Sequence, residues 1–127
     1  MLKNVLHTGI EIADLAKSVE LYKSLGFEVA NEFNKPEPKA KVVIVKKDDM
    51  AFELWQFEDK MHPQVAFIRN HIAIYSDDLE SDVQQLVDDG YKIVIPITEG
   101  TILRYTFVQD SAGTFCYEIA TKKETVQ

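Results

Sequence analysis

Two spacings of apolar residues follow one another along the first half of the chain, and they predict strands and a helix in a definite order. From Leu6 to Ile12 apolar residues alternate with others, which is typical of a half-buried strand. A helix is then expected between Asp14, a suitable N-cap, and Gly26, which can adopt the left-handed conformation that ends a helix. Its predicted buried stripe is Leu15, Val19 and Tyr22, and the strands expected after it are Phe27–Phe33, Lys41–Lys46 and Ala51–Phe57.

The second half of the chain repeats this order. A shift of 64 residues lays His7 over His71, and six of the twenty residues from position 7 to position 26 are then identical, where roughly one is expected by chance. Asp78 and Gly90 bound the second predicted helix. Its buried stripe is predicted as Leu79, Val83, Leu86 and Val87, and its following strands as Tyr91–Ile97, Leu103–Val108 and Phe115–Ala120.

The repeated order predicts an α+β fold of two βαβββ modules in tandem within one domain. Module 1 covers residues 1–60, a linker residues 58–66, module 2 residues 67–121, and a polar tail that frays residues 122–127. Because repeats bury the faces that their neighbours leave open, we expect the two modules to form an open curved sheet or barrel, with equivalent residues related by approximate symmetry. His62 lies in the linker, outside the repeat, and is predicted to be a surface residue.

The repeat places one histidine and one glutamate at matching positions in each half. Side chains on a strand alternate between two faces, so His7 and Glu53 lie opposite the apolar residues that a helix would cover, and so do His71 and Glu118. Singly, each is more often a structural or solvated residue. Four such residues at repeat-equivalent positions with shared parity instead predict one site for a divalent metal, namely Zn, Ni, Co, Mn or Fe.

Composition narrows the classes of partner. The chain has 127 residues, 46% hydrophobic and 28% charged, which is a globular composition. A net charge of -7 disfavours nucleic acid and anionic membranes, and no window is apolar enough to span a bilayer. We therefore expect a cytoplasmic protein with a small-molecule substrate. Its one cysteine, Cys116, is predicted to be a small strand residue and not a nucleophile.

These residues resemble the vicinal oxygen chelate superfamily, in particular its glyoxalase I branch. The segments that carry the resemblance are His7–Ile12, Ser18–Tyr22 and Leu25–Phe27, with Asn70–Ala73 as a less complete second signature. The resemblance implies that His7, Glu53, His71 and Glu118 are the metal ligands, and that the protein is a homodimer. It departs at Leu21, where an aromatic residue is usual, and at Glu11 and Phe57, where relatives have an arginine and an asparagine that hold glutathione.

The function implied by the resemblance is that of a lyase or isomerase, which transfers a proton next to a carbonyl through a metal-chelated enediolate. Glu118 is then the expected base and Glu53 the fallback. Glu11, Trp55, Phe57 and Tyr75 are expected to line the substrate pocket, and its aromatic residues favour a substrate other than a glutathione adduct. Two alternatives remain open, which are a non-catalytic binding protein of the bleomycin-resistance type and an iron-dependent extradiol-type dioxygenase.

Overall fold

The computed structural model describes residues 1–123, and the predicted tail lies outside the described residues from position 124 onward. The described chain divides into two compact units. The N-terminal unit is made of residues 7–70, and the C-terminal unit of residues 1–6 together with the chain from residue 71. The division falls within the first strand and again at the start of the strand that carries His71.

The N-terminal unit has the predicted order of strand, helix and three strands. Its elements are β1 (Leu2–Glu11, of which residues 7–11 belong to this unit), α1 (Leu15–Ser24), β2 (Glu28–Lys35), β3 (Ala40–Lys47), β4 (Met50–Phe57) and a short helix α2 (Val65–Ile68). The strand order is β2-β3-β4-β1, with β4 antiparallel to β3 and parallel to β1. The sequence predicted every element except α2, which begins in the predicted linker and continues into the predicted module 2.

The C-terminal unit repeats this plan. Besides residues 2–6 of β1, its elements are β5 (Asn70–Ser76, of which residues 71–76 belong to this unit), α3 (Leu79–Asp88), β6 (Lys92–Glu99), β7 (Leu103–Gln109) and β8 (Cys116–Lys122). The strand order is β5-β8-β7-β6, with β8 parallel to β5 and antiparallel to β7. The predicted α+β class with two βαβββ modules is therefore confirmed.

The longer helices, α1 and α3, each lie between the aspartate and the glycine that the sequence predicted as their bounds. The Asp14 carboxylate accepts a hydrogen bond from the backbone N–H of Lys17 at 3.1 Å, and the Asp78 carboxylate accepts one from Ser81 at 3.3 Å. After the helices, Gly26 and Gly90 have φ values of +95° and +102°, a region that L side chains rarely adopt. The same chemistry thus starts and stops the helix in each unit.

In each unit the helix covers one face of the strands, as parity predicted. In the N-terminal unit Leu15, Phe27, Val43, Val45 and Leu54 form the buried cluster on that face. In the C-terminal unit the corresponding cluster is Leu79, Val83, Val108 and Ile119. The prediction for Val87 was wrong, since this residue is 37% exposed. It follows Leu86 directly, and the 100° turn between consecutive helical residues carries its side chain away from the apolar stripe.

The predicted linker forms a turn, and α2 begins near its end. The Nε2 atom of His62 lies 3.1 Å from a carboxylate oxygen of Glu37, and its Nδ1 atom accepts a hydrogen bond from the backbone N–H of Gln64. His62 therefore orders the entry to α2, a structural role that agrees with its position outside the repeat. Among residues 1–123, no helix has the length and apolar character needed to cross a membrane.

Candidate metal centre

The histidine and the glutamate of each unit lie on neighbouring parallel strands in the same register. In the N-terminal unit Gly9 of β1 pairs with Glu53 of β4, and His7 lies two residues before Gly9. In the C-terminal unit Ala73 of β5 pairs with Glu118 of β8, and His71 lies two residues before Ala73. A separation of two residues keeps the side chain on the same face of a strand. Each imidazole is thereby directed to the face that carries its glutamate.

The side chains meet within each unit. The Nε2 atom of His7 lies 3.4 Å from Oε1 of Glu53, and Nε2 of His71 lies 3.0 Å from Oε1 of Glu118. All four residues are buried, with exposed fractions of 5% or less. Burying a carboxylate costs free energy unless hydrogen bonds or a cation compensate for the lost water. Each unit therefore maintains a costly polar pair on the face of its sheet that the helix does not cover.

The glutamate of the N-terminal unit has a further partner on its own strand. The indole Nε1–H of Trp55 donates a hydrogen bond to Oε1 of Glu53 at 2.7 Å. Trp55 in turn stacks on Phe57, with ring centroids 5.4 Å apart and an angle of 22° between the ring planes. The sequence placed both aromatic residues on this face, but it did not show that the indole contacts the carboxylate.

The histidine of the C-terminal unit packs against an aromatic ring. The rings of His71 and Phe107 meet edge to face with centroids 4.9 Å apart, and Phe107 pairs across the sheet with Glu118. The contact restricts the orientation of the imidazole. Phe107 was not among the predicted site residues. The alternation of side chains along β7 could have indicated it, because residues paired across strands project to the same face of the sheet.

The two remaining predicted pocket residues differ in their surroundings. One oxygen of the Glu11 carboxylate accepts hydrogen bonds from Nη2 and Nε of Arg69, at 2.7 and 3.2 Å. Arg69 was not predicted, and no local signal marks it, because it lies 58 residues from Glu11 in the sequence. Tyr75 is half-buried on β5, on the same strand face as His71.

The predicted ligands offer a donor set that suits a divalent metal. His7, Glu53, His71 and Glu118 each supply one ligand atom, and together they provide two imidazole nitrogens and two carboxylate oxygens. Such mixed nitrogen and oxygen sets bind Zn, Ni, Co, Mn and Fe. These buried residues are thus a group that could bind a metal ion.

Cys116 lies on the same strand as Glu118 and is buried. Burial, and to a lesser extent the charge of Asp110, raises the pKa of its thiol. A raised pKa reduces the fraction of thiolate at neutral pH, so the structure agrees with the expectation that Cys116 is a strand residue and not a nucleophile.

The family follows from comparison with known sequences. A family model described as the Glyoxalase/Bleomycin resistance protein/Dioxygenase superfamily matches residues 4–115. The chain belongs to this superfamily. The resemblance drawn from the sequence is thereby confirmed at the level of the superfamily. No curated protein matches the chain at a significant level.

Several solved structures share the fold. A variant of Streptomyces coelicolor methylmalonyl-CoA epimerase, in complex with 2-nitronate-propionyl-CoA, matches with a TM-score of 0.83 at 23% identity, over 98% of this chain and 100% of that one. A methylmalonyl-CoA epimerase in complex with methylmalonyl-CoA and ammonium matches with a TM-score of 0.82 at 24% identity, over 96% of each chain. The epimerase from Mycobacterium tuberculosis matches with a TM-score of 0.82 at 19% identity, over 97% and 90%. These similarities show a shared fold.

Proposed function

We propose that this protein is a metal-dependent isomerase or lyase that moves a proton at a carbon atom next to a carbonyl group. The observation that carries the proposal is the buried histidine and glutamate pair, which occurs in both units in the same strand register. Membership of the superfamily supports a metal site, and epimerases with the same fold support proton transfer next to a carbonyl.

Both pairs are proposed to bind a single ion. One pair offers only two donor atoms, whereas a tightly bound zinc-like cation takes at least four ligands. Together the pairs supply four donors, and a fifth or sixth position is then available to water or substrate on Ni, Co, Mn or Fe. The proposal requires the two modules to form the open curved sheet that the repeat predicted. A bound cation would supply Lewis-acid stabilisation of the negative charge that develops on substrate oxygens.

The proton itself is proposed to move to and from a carboxylate. Glu118 is the proposed base. Glu53 is the second candidate, because the two glutamates occupy equivalent positions in the repeat. His7 and His71 hold the ion and do not transfer the proton. The edge-to-face contact with Phe107 keeps the imidazole of His71 in one orientation.

The charge distribution favours a substrate without the glutathione carboxylate. Glu11 stands where glutathione-binding relatives have an arginine, and its carboxylate is held by Arg69. Phe57 stands where they have an asparagine, and it is buried against Trp55. Methylmalonyl-CoA, the thioester bound by one of the epimerases with the same fold, has the required carbonyl and adjacent C–H group. We therefore place an acyl thioester ahead of a glutathione hemithioacetal as the substrate class.

Proton exchange into deuterated water tests this substrate class. The metal-loaded protein is incubated in D₂O with methylmalonyl-CoA, or with methylglyoxal and glutathione, and the products are analysed by NMR. We expect deuterium at the carbon between the two carbonyl groups of the thioester and little conversion of the glutathione adduct. Faster conversion of the glutathione adduct would overturn the acyl thioester as the substrate class. No exchange with either probe would contradict the proposed proton transfer for both of them.

Paired substitutions test the assignment of the base. Glu118→Gln removes the proton acceptor but retains an oxygen donor, so bound metal should remain while turnover falls by about 10²-fold or more. Glu53→Gln is the matched variant at the equivalent position and should weaken metal binding more than it slows turnover at saturating metal. Unchanged turnover in Glu118→Gln would reject its role. The reverse pattern would assign the base to Glu53.

A non-catalytic binding protein is the second candidate. The buried stack of Trp55 and Phe57 favours it, since such aromatic faces suit a planar apolar ligand. Metal content separates the two functions. Purified protein with stoichiometric metal supports the enzyme, and metal-free protein that binds aromatic compounds tightly supports the binding protein.

The homodimer and the cytoplasmic location stay part of the proposal. The homodimer follows from the family resemblance, and the location from the composition. Light scattering coupled to size-exclusion chromatography should give twice the chain mass of 14.5 kDa. A mass of one chain at micromolar concentration would contradict the dimer without affecting the metal site.

A further inference from the structure

The two glutamates are equivalent by repeat, yet their neighbours on the strand differ. Two residues after Glu53 stands Trp55, whose indole donates to the carboxylate at 2.7 Å. Two residues after Glu118 stands Ala120, which is fully buried and has no side-chain donor. A difference at this one position therefore distinguishes two glutamates that the register treats alike.

The geometry of Trp55 suits a fixed donor. Residues two apart on a strand project to the same face, about 6.5 Å apart along the strand, and the indole spans that distance. Trp55 is 5% exposed and Phe57 is 4% exposed, so the stacked rings have little freedom to turn. The carboxylate consequently meets a donor whose position is already determined by packing.

A hydrogen bond to a charged carboxylate both orients it and stabilises its ionised form. When the carboxylate is a metal ligand, such an outer partner typically contributes 10 to 100-fold in metal affinity or activity. Trp55 could in principle use Glu53 only as an acceptor for its own buried N–H group. That structural role would leave metal affinity unchanged, so measurement can distinguish the two.

We propose that Trp55 is a positioning residue that holds the Glu53 carboxylate in the orientation of a metal ligand. This inference rests on the proposed metal site and deepens it, because the repeat alone does not separate the two carboxylates. The indole acts through Glu53 and does not touch the reacting atoms.

Trp55→Phe tests the hydrogen bond while retaining a ring to stack on Phe57. We expect the dissociation constant for Co²⁺ or Zn²⁺, titrated into metal-free protein, to rise about 10-fold. Tyr22→Phe is the matched control, since Tyr22 lies in the same unit but packs against Phe27 and Phe52 in the cluster beneath the helix. Its metal affinity should remain that of the unmodified chain.

Double substitutions show whether the effect passes through Glu53. Combined with Glu53→Gln, Trp55→Phe should have less effect on metal affinity than it has alone, because the shared contact is already lost. Combined with Glu118→Gln, Trp55→Phe should lower metal affinity by the same factor as it does alone. Unchanged metal affinity in Trp55→Phe, or equal coupling to both glutamates, would overturn the positioning role while leaving the metal site intact.

A second measurement does not depend on a Trp55 variant. Trp55 is the only tryptophan in the chain, so intrinsic emission at 295 nm excitation reports the surroundings of its indole. In metal-free protein, Glu53→Gln should shift the emission of the indole, whereas Glu118→Gln should not. An identical spectrum in all three proteins would contradict the contact. If the unmodified chain binds no metal but its emission responds to Glu53→Gln, the metal proposal fails and the contact stands.

Discussion

The two units share a plan and a register but not the residues that surround the shared pair. Both place a histidine two residues before the strand partner of a glutamate. Opposite the glutamate, however, the N-terminal unit has Ile44 and the C-terminal unit has Phe107, which packs on His71. The two halves of the repeat thus share the histidine and the glutamate but differ in the side chains that pack around them. Duplicated residues can in this way come to lie in chemically different surroundings while the histidine and the glutamate are retained.

The apolar faces of the two units provide the largest expected effect. Leu54 and Ile119 occupy equivalent positions beneath α1 and α3, with exposed fractions of 0% and 1%. Substituting either by alanine removes buried methyl groups and leaves a cavity, so each should lower the free energy of unfolding by about 2–5 kcal/mol in urea denaturation. Val87→Ala, at a 37% exposed position, should change it by less than about 0.5 kcal/mol. A negligible effect of one core variant would show that the two apolar faces do not contribute equally to stability.

The glycines after the helices provide a smaller effect that differs between the units. Gly26→Ala and Gly90→Ala both place a side chain at positive φ, which should cost about 1–3 kcal/mol. At Gly26 the new Cβ atom would lie 3.3 Å from Lys47, whose Nζ atom donates to the carbonyl oxygen of Leu25. At Gly90 the nearest atom, in Ser111, is 3.7 Å away. Thermal unfolding should therefore show the larger loss for Gly26→Ala, and equal losses would mean that Lys47 moves freely.

Most of the architecture could be predicted because it is encoded locally. Capping aspartates, glycines at positive φ and strand parity are properties of short segments, and the repeat allowed each to be checked against its copy. The exceptions have physical reasons. Four residues from Val65 to Ile68 are too few to display a helical period, and Val87 is apolar but falls off the buried stripe.

Less of the candidate site could be predicted, because its details depend on distant or directional contacts. Parity placed His7 and Glu53 on one face, as it did His71 and Glu118, and the structure confirms the contact within each pair. The ion pair of Glu11 and Arg69 joins residues far apart in the sequence, which no periodicity reveals. The hydrogen bond from Trp55 depends on a side-chain rotamer, which the strand period does not determine.

The number of metal ions bound per chain tests the central proposal most directly. Metal-free protein is titrated with Co²⁺ by calorimetry, and the content of the loaded protein is measured by elemental analysis, for the unmodified chain, His7→Ala and His71→Ala. If both pairs bind one ion, the unmodified chain takes up one ion and both variants lose it, although each retains one intact pair. Two ions per chain, or full occupancy after either substitution, would contradict the account.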